Sequence, residues 1–534
     1  MAICPFVPTS YICGMIKKVE LPLRPEELQN QDLIRRKAIK KAGVKPERLK
    51  DFRVVRRSID ARQKQIYFRL QVELYLDQLP SPAIPLLSKL QQVHDAPAII
   101  IIGAGPAGYF AALEMIELGL RPIIFDRGKD VRARRRDLKA IQQDGIVNPH
   151  SNYCYGEGGA GTYSDGKLYT RSHKRGNIEK ALQLLVEHGA TEDILVDAHP
   201  HIGSNKLPKI VENIRDTILK HGGSIHFDSF VTDLVIKDGA ACGVIVNEEK
   251  EYTAEGVVLA TGHSARDIYH LFQRKGILME LKSFALGVRV EHPQPLIDQI
   301  QYKVESRPAV LPAASYRLAC QVEGRGVFSF CMCPGGLVVP AATAPGELVV
   351  NGMSMSRRDS PFANSGTVVA VEEEDLAPFS EHGILAGLAF QQSVEQKLFA
   401  YGDGSQQAPA QRMTDFVNGK KSTTLPPTSY IPGLYSAPLH ELLPKGIYRR
   451  LKKGMMEFGK KMPGYLIEDA NVIGTESRTS SPVRIPRNKV SYQHPEINGL
   501  FPCGEGAGYA GGIISAAMDG QNVARAVSRF LNDE

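Results

Sequence analysis

Residues 98–126 read AIIIIGAGPAGYFAALEMIELGLRPIIFD, and this stretch decides the fold. Ala98 to Ile102 is a short, wholly apolar run, as expected of a strand buried on both faces. Gly103 permits the tight turn that follows, with Ala104 inside it. Gly105 lets the backbone approach a pyrophosphate, and Gly108 lets the next helix pack against the strand. Pro106 and Ala107 open that helix, whose N-terminal N–H groups and dipole favour an anion. The helix is expected from about Ala107 to Leu118 and a second strand from Arg121 to Asp126. Asp126 lies eighteen residues beyond Gly108, where a carboxylate grips ribose hydroxyls. The result is a β-α-β dinucleotide unit, and a plain structural turn is the alternative. The acid disfavours a 2′-phosphate, although Arg127 beside it leaves NADP open.

Two other segments resemble strand ends turning through glycine. Val257 to Gly262 is apolar and ends in Ala260-Thr261-Gly262. Near the C-terminus, Gly499-Leu-Phe-Pro-Cys-Gly504-Glu505-Gly-Ala-Gly-Tyr-Ala-Gly511-Gly512 runs from a strand through glycines into a helix beginning near Ile513. A cofactor as long as FAD needs support at its flavin end as well. Glu505 is placed for the ribityl or phosphate region, and the Ile513 helix dipole for the flavin pyrimidine. Val231, at the start of a β-meander, completes the expected cofactor wall. These features favour FAD over NAD.

The segment Gly156 to Leu168, GEGGAGTYSDGKL, satisfies the GxxxxGK spacing of a phosphate loop. Leu168 stands where Ser or Thr would hold Mg²⁺, no apolar strand precedes it and no clear helix follows, so the NTPase reading fails. Gly158, Gly159 and Gly161 are expected to offer amides to the cofactor instead. Lys167 is expected near flavin or an anionic substrate.

Together with Ser58-Ile-Asp-Ala-Arg62, Ala260-Thr-Gly-His-Ser-Ala-Arg266, Phe330-Cys-Met-Cys-Pro-Gly-Gly336 and Thr475-Glu-Ser-Arg-Thr-Ser-Ser-Pro482, these motifs resemble the FAD-dependent dehydrogenase-like proteins of bacteria and plastids. The resemblance runs through most of the chain from Met15. It implies a glutathione-reductase-type FAD fold and FAD itself, and it supplies no substrate. Asp126 departs mildly from it, since many such sites carry Glu.

Candidates for catalysis are Cys331, Cys333, Lys167 and His263. On a regular strand Cys331 and Cys333 share a face, with Cα atoms about 6.6 Å apart. That is near the upper limit for a disulfide. They read either as thiols beside flavin or as two small buried residues, and the C-x₄-C pair of disulfide reductases is absent. His263 follows the Ala-Thr-Gly turn and reads as a proton donor or a packing residue. Arg478 and Arg484 suit an anionic substrate. His199-Pro-His201 has no ligand cluster around it, so no metal is expected.

Composition sets the bounds. The 534 residues are 43% hydrophobic and 23% charged, with 49 glycines lacking collagen periodicity. This is a globular chain with a large core. No run approaches about 18 apolar residues, so no membrane span is expected. A net charge of +7 suits an anionic ligand or a plain soluble surface. The basic runs lack interleaved aromatics, so no nucleic-acid partner is expected. Eight cysteines without framework spacing suggest reduced thiols and a cytoplasmic location.

The expected organisation is α/β throughout. Residues 1–14 read as a start-site extension before a native Met15, and 15–80 as a small ferredoxin-like α/β domain. Residues 81–95 form a linker. A Rossmann-like FAD domain of glutathione-reductase type spans 96–282 and 494–534, with a mixed α+β substrate domain inserted at 283–493. The expected function is FAD-dependent hydride transfer through flavin N5 with a small molecule, with NAD(P)H bound transiently. The alternative is an FAD-binding redox sensor or assembly factor.

Overall fold

The computed structural model describes residues 15–63, 65–170 and 176–532. The expected start-site extension, 1–14, lies outside them. The described chain forms two compact units.

One unit holds the described residues up to Pro85 with Glu192–Pro200 and Pro308–Leu311. Strands Met15–Leu23, Leu49–Asp60 and Tyr67–Leu76 form an antiparallel sheet with the last strand in the middle. The helix Gln31–Ala42 starts where the Asn30 side chain accepts from Leu33 N–H at 2.9 Å, and ends at Gly43 with φ +61°. Its Ile34 and Ala38 pack onto Leu21, Leu70, Val72 and Leu74. Alternation along Tyr67–Leu76 turns that apolar set to one face. This corrects the ferredoxin-like expectation: the unit has three strands and one long helix among its described residues. The Pro-rich segment after Leu76 contributes no strand.

The second unit contains a five-stranded parallel sheet in the order Leu500–Pro502, Val257–Leu259, Ala98–Ile102, Arg121–Phe125, Ser224–His226. Ile99 to Ile102 are buried, as a central strand covered on both faces requires. The helix Pro106–Glu117 begins with proline in its first turn, where a missing N–H costs nothing. A Cβ on Gly108 would stand 2.0 Å from Gly103 O, so only glycine allows this helix to sit so close to the strand end. Gly520 does the same for the helix Ile513–Leu531, where a Cβ would lie 2.1 Å from Ala107 O.

The stretch from Ser283 onward, which in sequence looks irregular, builds a seven-stranded sheet. Its order is Ala319–Val322, Arg325–Cys333, Phe362–Val371, Phe284–Pro293, Asn471–Glu476, Ala408–Arg412, Leu434–Ser436. All neighbours are antiparallel except the last pair. The amphipathic helix Lys445–Lys461 lies against it, with Gly454 pressed on Val327.

Candidate functional site

A cavity of about 310 Å³ opens at the carboxyl ends of strands Ala98–Ile102, Arg121–Phe125 and Val257–Leu259, where parallel α/β sheets bind ligands. Of the sequence-expected residues, Gly103, Gly105, Pro106, Ala107, Asp126, Arg127, Gly159, Gly161, Lys167, Val231, Ala260, Thr261, Gly262, His263, Cys331, Cys333, Arg478, Glu505, Gly511, Gly512 and Ile513 line it. Ala104, Gly108, Gly158 and Gly504 stand just behind the wall. Gly158 N–H donates to Ala104 O at 2.8 Å, and Gly504 N–H donates to Asp519 at 2.8 Å. Arg484 is exposed, 3.9 Å from Glu280, and is not part of the lining.

The Asp126 carboxylate, buried at the strand end, accepts from three main-chain amides: Ala104 and Gly128 at 2.9 Å and Gly156 at 3.1 Å. With about four lone-pair sites on a carboxylate, one acceptor position is left for a hydroxyl. Arg127 lies between the rings of Tyr155 and Phe230, 4.4 and 4.3 Å from their centroids, and pairs with Asp267 at 2.5 Å. The residues after Gly512 form the first turn of the Ile513–Leu531 helix, and a Cβ on Gly161 would meet Ile513 at 3.1 Å. The Gly156–Lys167 segment therefore packs beside that helix N-terminus.

Two observations make the cavity suit a dinucleotide such as FAD. A Cβ on Gly262, Gly511 or Gly512 would meet nothing within 4 Å, so these cavity glycines leave room that side chains would fill. The Thr261 hydroxyl is buried in the wall without a hydrogen-bond partner among the described residues. A buried polar group of that kind needs a ligand or water to satisfy it.

The far wall carries the titratable groups. His263 Nδ1 lies 3.5 Å from the Glu505 carboxylate. Lys167 donates to Met332 O and sits 3.6 Å from Asp165. Burial alone would raise the Asp165 carboxyl, but Lys167, Arg358 and a Ser354 hydroxyl outweigh it and hold it below its usual value. Cys331 is exposed and Cys333 buried. The regular-strand expectation fails here. Phe330 pairs with Gly366 but Cys333 with Asn364, so a bulge intervenes, and Cys331 has φ +41°. One extra residue breaks the strict alternation that a regular strand would impose on the pair.

Behind this wall, Arg289 is fully buried and donates to Glu476 and Asn364 at 2.9 Å, to Cys331 O at 2.7 Å and to Cys333 Sγ at 3.4 Å. Burial works against its charge, and Glu476 more than restores it. Arg478 reaches the cavity but is committed to Glu395 at 2.9 Å, Glu347 at 2.6 Å and Thr343 at 2.5 Å. Arg266 joins the same two glutamates, each at 2.9 Å. Asp165 and Glu476 lie inside the Gly156–Leu168 and Thr475–Pro482 motifs but are not singled out by them. Tyr155, Phe230, Arg289 and Glu395 lie in none, so only an inventory of charges inside apolar strands would have found Arg289. Among the described residues no group of three metal-ligating side chains converges.

Residues 283–479 match the family model "FAD-dependent protein, C-terminal domain-like", and residues 15–75 match a domain of unknown function. An uncharacterized protein of Clostridium beijerinckii is 41% identical over 514 residues, which is 92% of this chain and 95% of the relative. The chain is also similar to the tRNA uridine 5-carboxymethylaminomethyl modification enzyme MnmG of Pediococcus pentosaceus, 23% identical over 79% of this chain and 61% of that protein. Among solved structures, a triple mutant of a flavin-dependent brominase aligns over 82% of this chain and 81% of its own, at 12% identity and a TM-score of 0.36.

Proposed function

The chain belongs to the FAD-dependent protein family that it shares with the clostridial relative, and we propose that it is an oxidoreductase moving a hydride between a small molecule and FAD. The observation that carries this reading is the single cavity on which the Gly103–Gly108 turn, the Ala260–Gly262 strand end and the Gly511–Ile513 turn meet. That arrangement supports a glutathione-reductase-type placement of the cofactor. FAD, when bound, supplies hydride chemistry at its N5.

The chain's own residues have distinct tasks in this reading. The Pro106–Glu117 helix end and Gly105 face the pyrophosphate. Asp126 takes a ribose hydroxyl on its remaining acceptor site, with Arg127 beside it. Thr261 gains its partner from the cofactor. Glu505 sits toward the ribityl or phosphate region, and the first turn of Ile513–Leu531 toward the flavin ring, where the helix dipole stabilises negative charge. His263, steadied by Glu505 at 3.5 Å, holds the proton that accompanies hydride transfer. Lys167 is the cation for an anionic substrate. Arg478, its donors committed to glutamates, positions the wall, and Arg484 has no place in the cavity. NAD(P)H is the proposed transient reductant and the cytoplasm the proposed location. Among the described residues no helix is long and apolar enough to cross a membrane.

The test is the visible spectrum of the purified protein, followed by anaerobic NADH and NADPH. A flavin band that bleaches within seconds supports a nicotinamide-linked oxidoreductase. A persistent band leaves FAD but removes NAD(P)H as reductant. No flavin after reconstitution with FAD overturns the reading.

A further inference from the structure

We propose that Cys331 and Cys333 form a second redox centre, a dithiol–disulfide couple that exchanges two electrons with the cofactor inside the same cavity. The proposal rests on the FAD reading above. Both residues line that cavity, and both are free thiols.

The backbone is shaped for the pair. A regular strand would hold the two Cα atoms about 6.6 Å apart, at the long edge of disulfide geometry. The bulge between Phe330 and Cys333 abolishes that spacing. It places Cys331 at φ +41°, a region that non-glycine residues enter only when the surroundings compel it. The Cys333 thiol lies 3.3 Å from Cys331 O, so its sulfur is folded back onto the other cysteine's own backbone.

The electrostatics fit the same step. The Arg289 Nη2 that donates to Cys331 O at 2.7 Å is also 3.4 Å from Cys333 Sγ. A buried guanidinium is expensive, and here one of its nitrogens is spent between the two cysteines. Lys167 donates to Met332 O, between them in sequence. These two cations favour the thiolate that must form transiently as a proton leaves. In the resting pair burial raises the Cys333 thiol, against the pull of Lys167 and Arg289. The buried Cys333 is therefore held as the thiol.

In the oxidising direction both S–H bonds break and an S–S bond forms between Cys331 and Cys333. The two electrons and two protons pass to oxidised FAD, giving FADH₂. The reverse reaction breaks the S–S bond and restores two thiols.

The test uses the full FAD-loaded chain, oxidised with diamide, desalted and titrated anaerobically with dithionite while the flavin band is followed. The wild type is expected to consume twice the dithionite per flavin that Cys331→Ser or Cys333→Ser consumes. Iodoacetamide labelling with peptide mass analysis is the second readout and needs no variant. The peptide carrying both cysteines should be labelled after dithionite and unlabelled after diamide. Equal dithionite consumption in wild type and variants, with that peptide labelled after diamide, overturns the proposal. Failure to take up FAD shows in the absorbance before the titration begins, and it overturns the cofactor reading separately.

Discussion

The carboxylate of Asp126 accepts a hydrogen bond at 2.9 Å from the main-chain N–H of Ala104, twenty-two residues before it. One side chain thus ties the glycine turn of the first strand to the end of the second. Its other oxygen holds Gly128 and Gly156, so it braces three loops of the cavity wall. Replacing it with alanine leaves buried amides unpaired, at about 1–3 kcal/mol each. Asp126→Ala is expected to lose ~3 kcal/mol or more in urea unfolding and to purify without FAD. Asp126→Asn, which keeps one acceptor oxygen, should lie between it and wild type in both measurements.

Gly105 and Gly108 separate cofactor binding from folding. A Cβ at Gly108 would stand 2.0 Å from Gly103 O, whereas one at Gly105 would meet nothing nearer than 4.0 Å. Gly105 also has φ −81°, which alanine adopts freely. Gly108→Ala should therefore lower stability by about 1–3 kcal/mol or more through overpacking. Gly105→Ala should leave the urea midpoint of the FAD-free protein within about 0.5 kcal/mol of wild type. Its FAD affinity, measured by fluorescence quenching, should fall at least about tenfold, or about 1.4 kcal/mol.

Arg478 and Glu395 predict an acid-sensitive fold. Burial pushes the Glu395 carboxyl up, but Arg478 and Arg266 outweigh it and hold it below its ordinary 4.5. A carboxylate so depressed stabilises the folded state above about pH 4.5 and loses that contribution as pH falls through its lower folded value. Arg478→Met leaves Glu347 and Glu395 with less compensation and should cost about 3–5 kcal/mol at neutral pH. In Arg478→Met the loss of stability below pH 4.5 should be shallower than in wild type, as read from urea midpoints across the range.

His292 acts at higher pH. It is buried, pairs through Nε2 with Tyr465 O at 2.7 Å, and burial lowers its pKa from 6.5 to about 4. The folded state keeps this ring neutral while the unfolded chain takes up a proton below 6.5. Its contribution is therefore complete above pH 6.5 and drains away as pH falls toward 4, by at most about 3 kcal/mol. His292→Gln should flatten the stability profile between pH 6.5 and 4, even if its stability at pH 7.5 is lower.

Some of this architecture is plain in the chain and some is not. The strand Ala98–Ile102, its glycine turn and the helix after it are legible because each depends on near neighbours. The same holds for the turn at Asp238-Gly239, whose positive φ values suit Asp and Gly. The seven-stranded sheet was not legible. Its strands pair out of chain order, so Phe284–Pro293 lies between strands drawn from 362–371 and 471–476. Cys331 and Cys333 sit two residues apart and both line the cavity, yet a bulge in the pairing with the neighbouring strand leaves one exposed and the other buried.

The sequence by itself determined the parallel dinucleotide unit, the C-terminal glycine turn and the glycine-rich cavity wall, because those follow from backbone freedom, dipoles and burial over a few residues. Only the tertiary structure decided which charges matter. Arg289 meets Glu476 across 187 residues and Arg478 meets Glu395 across 83, and a charge is tolerated inside a core only where folding delivers its partner. Long-range pairing of that kind leaves no spacing in the chain to read.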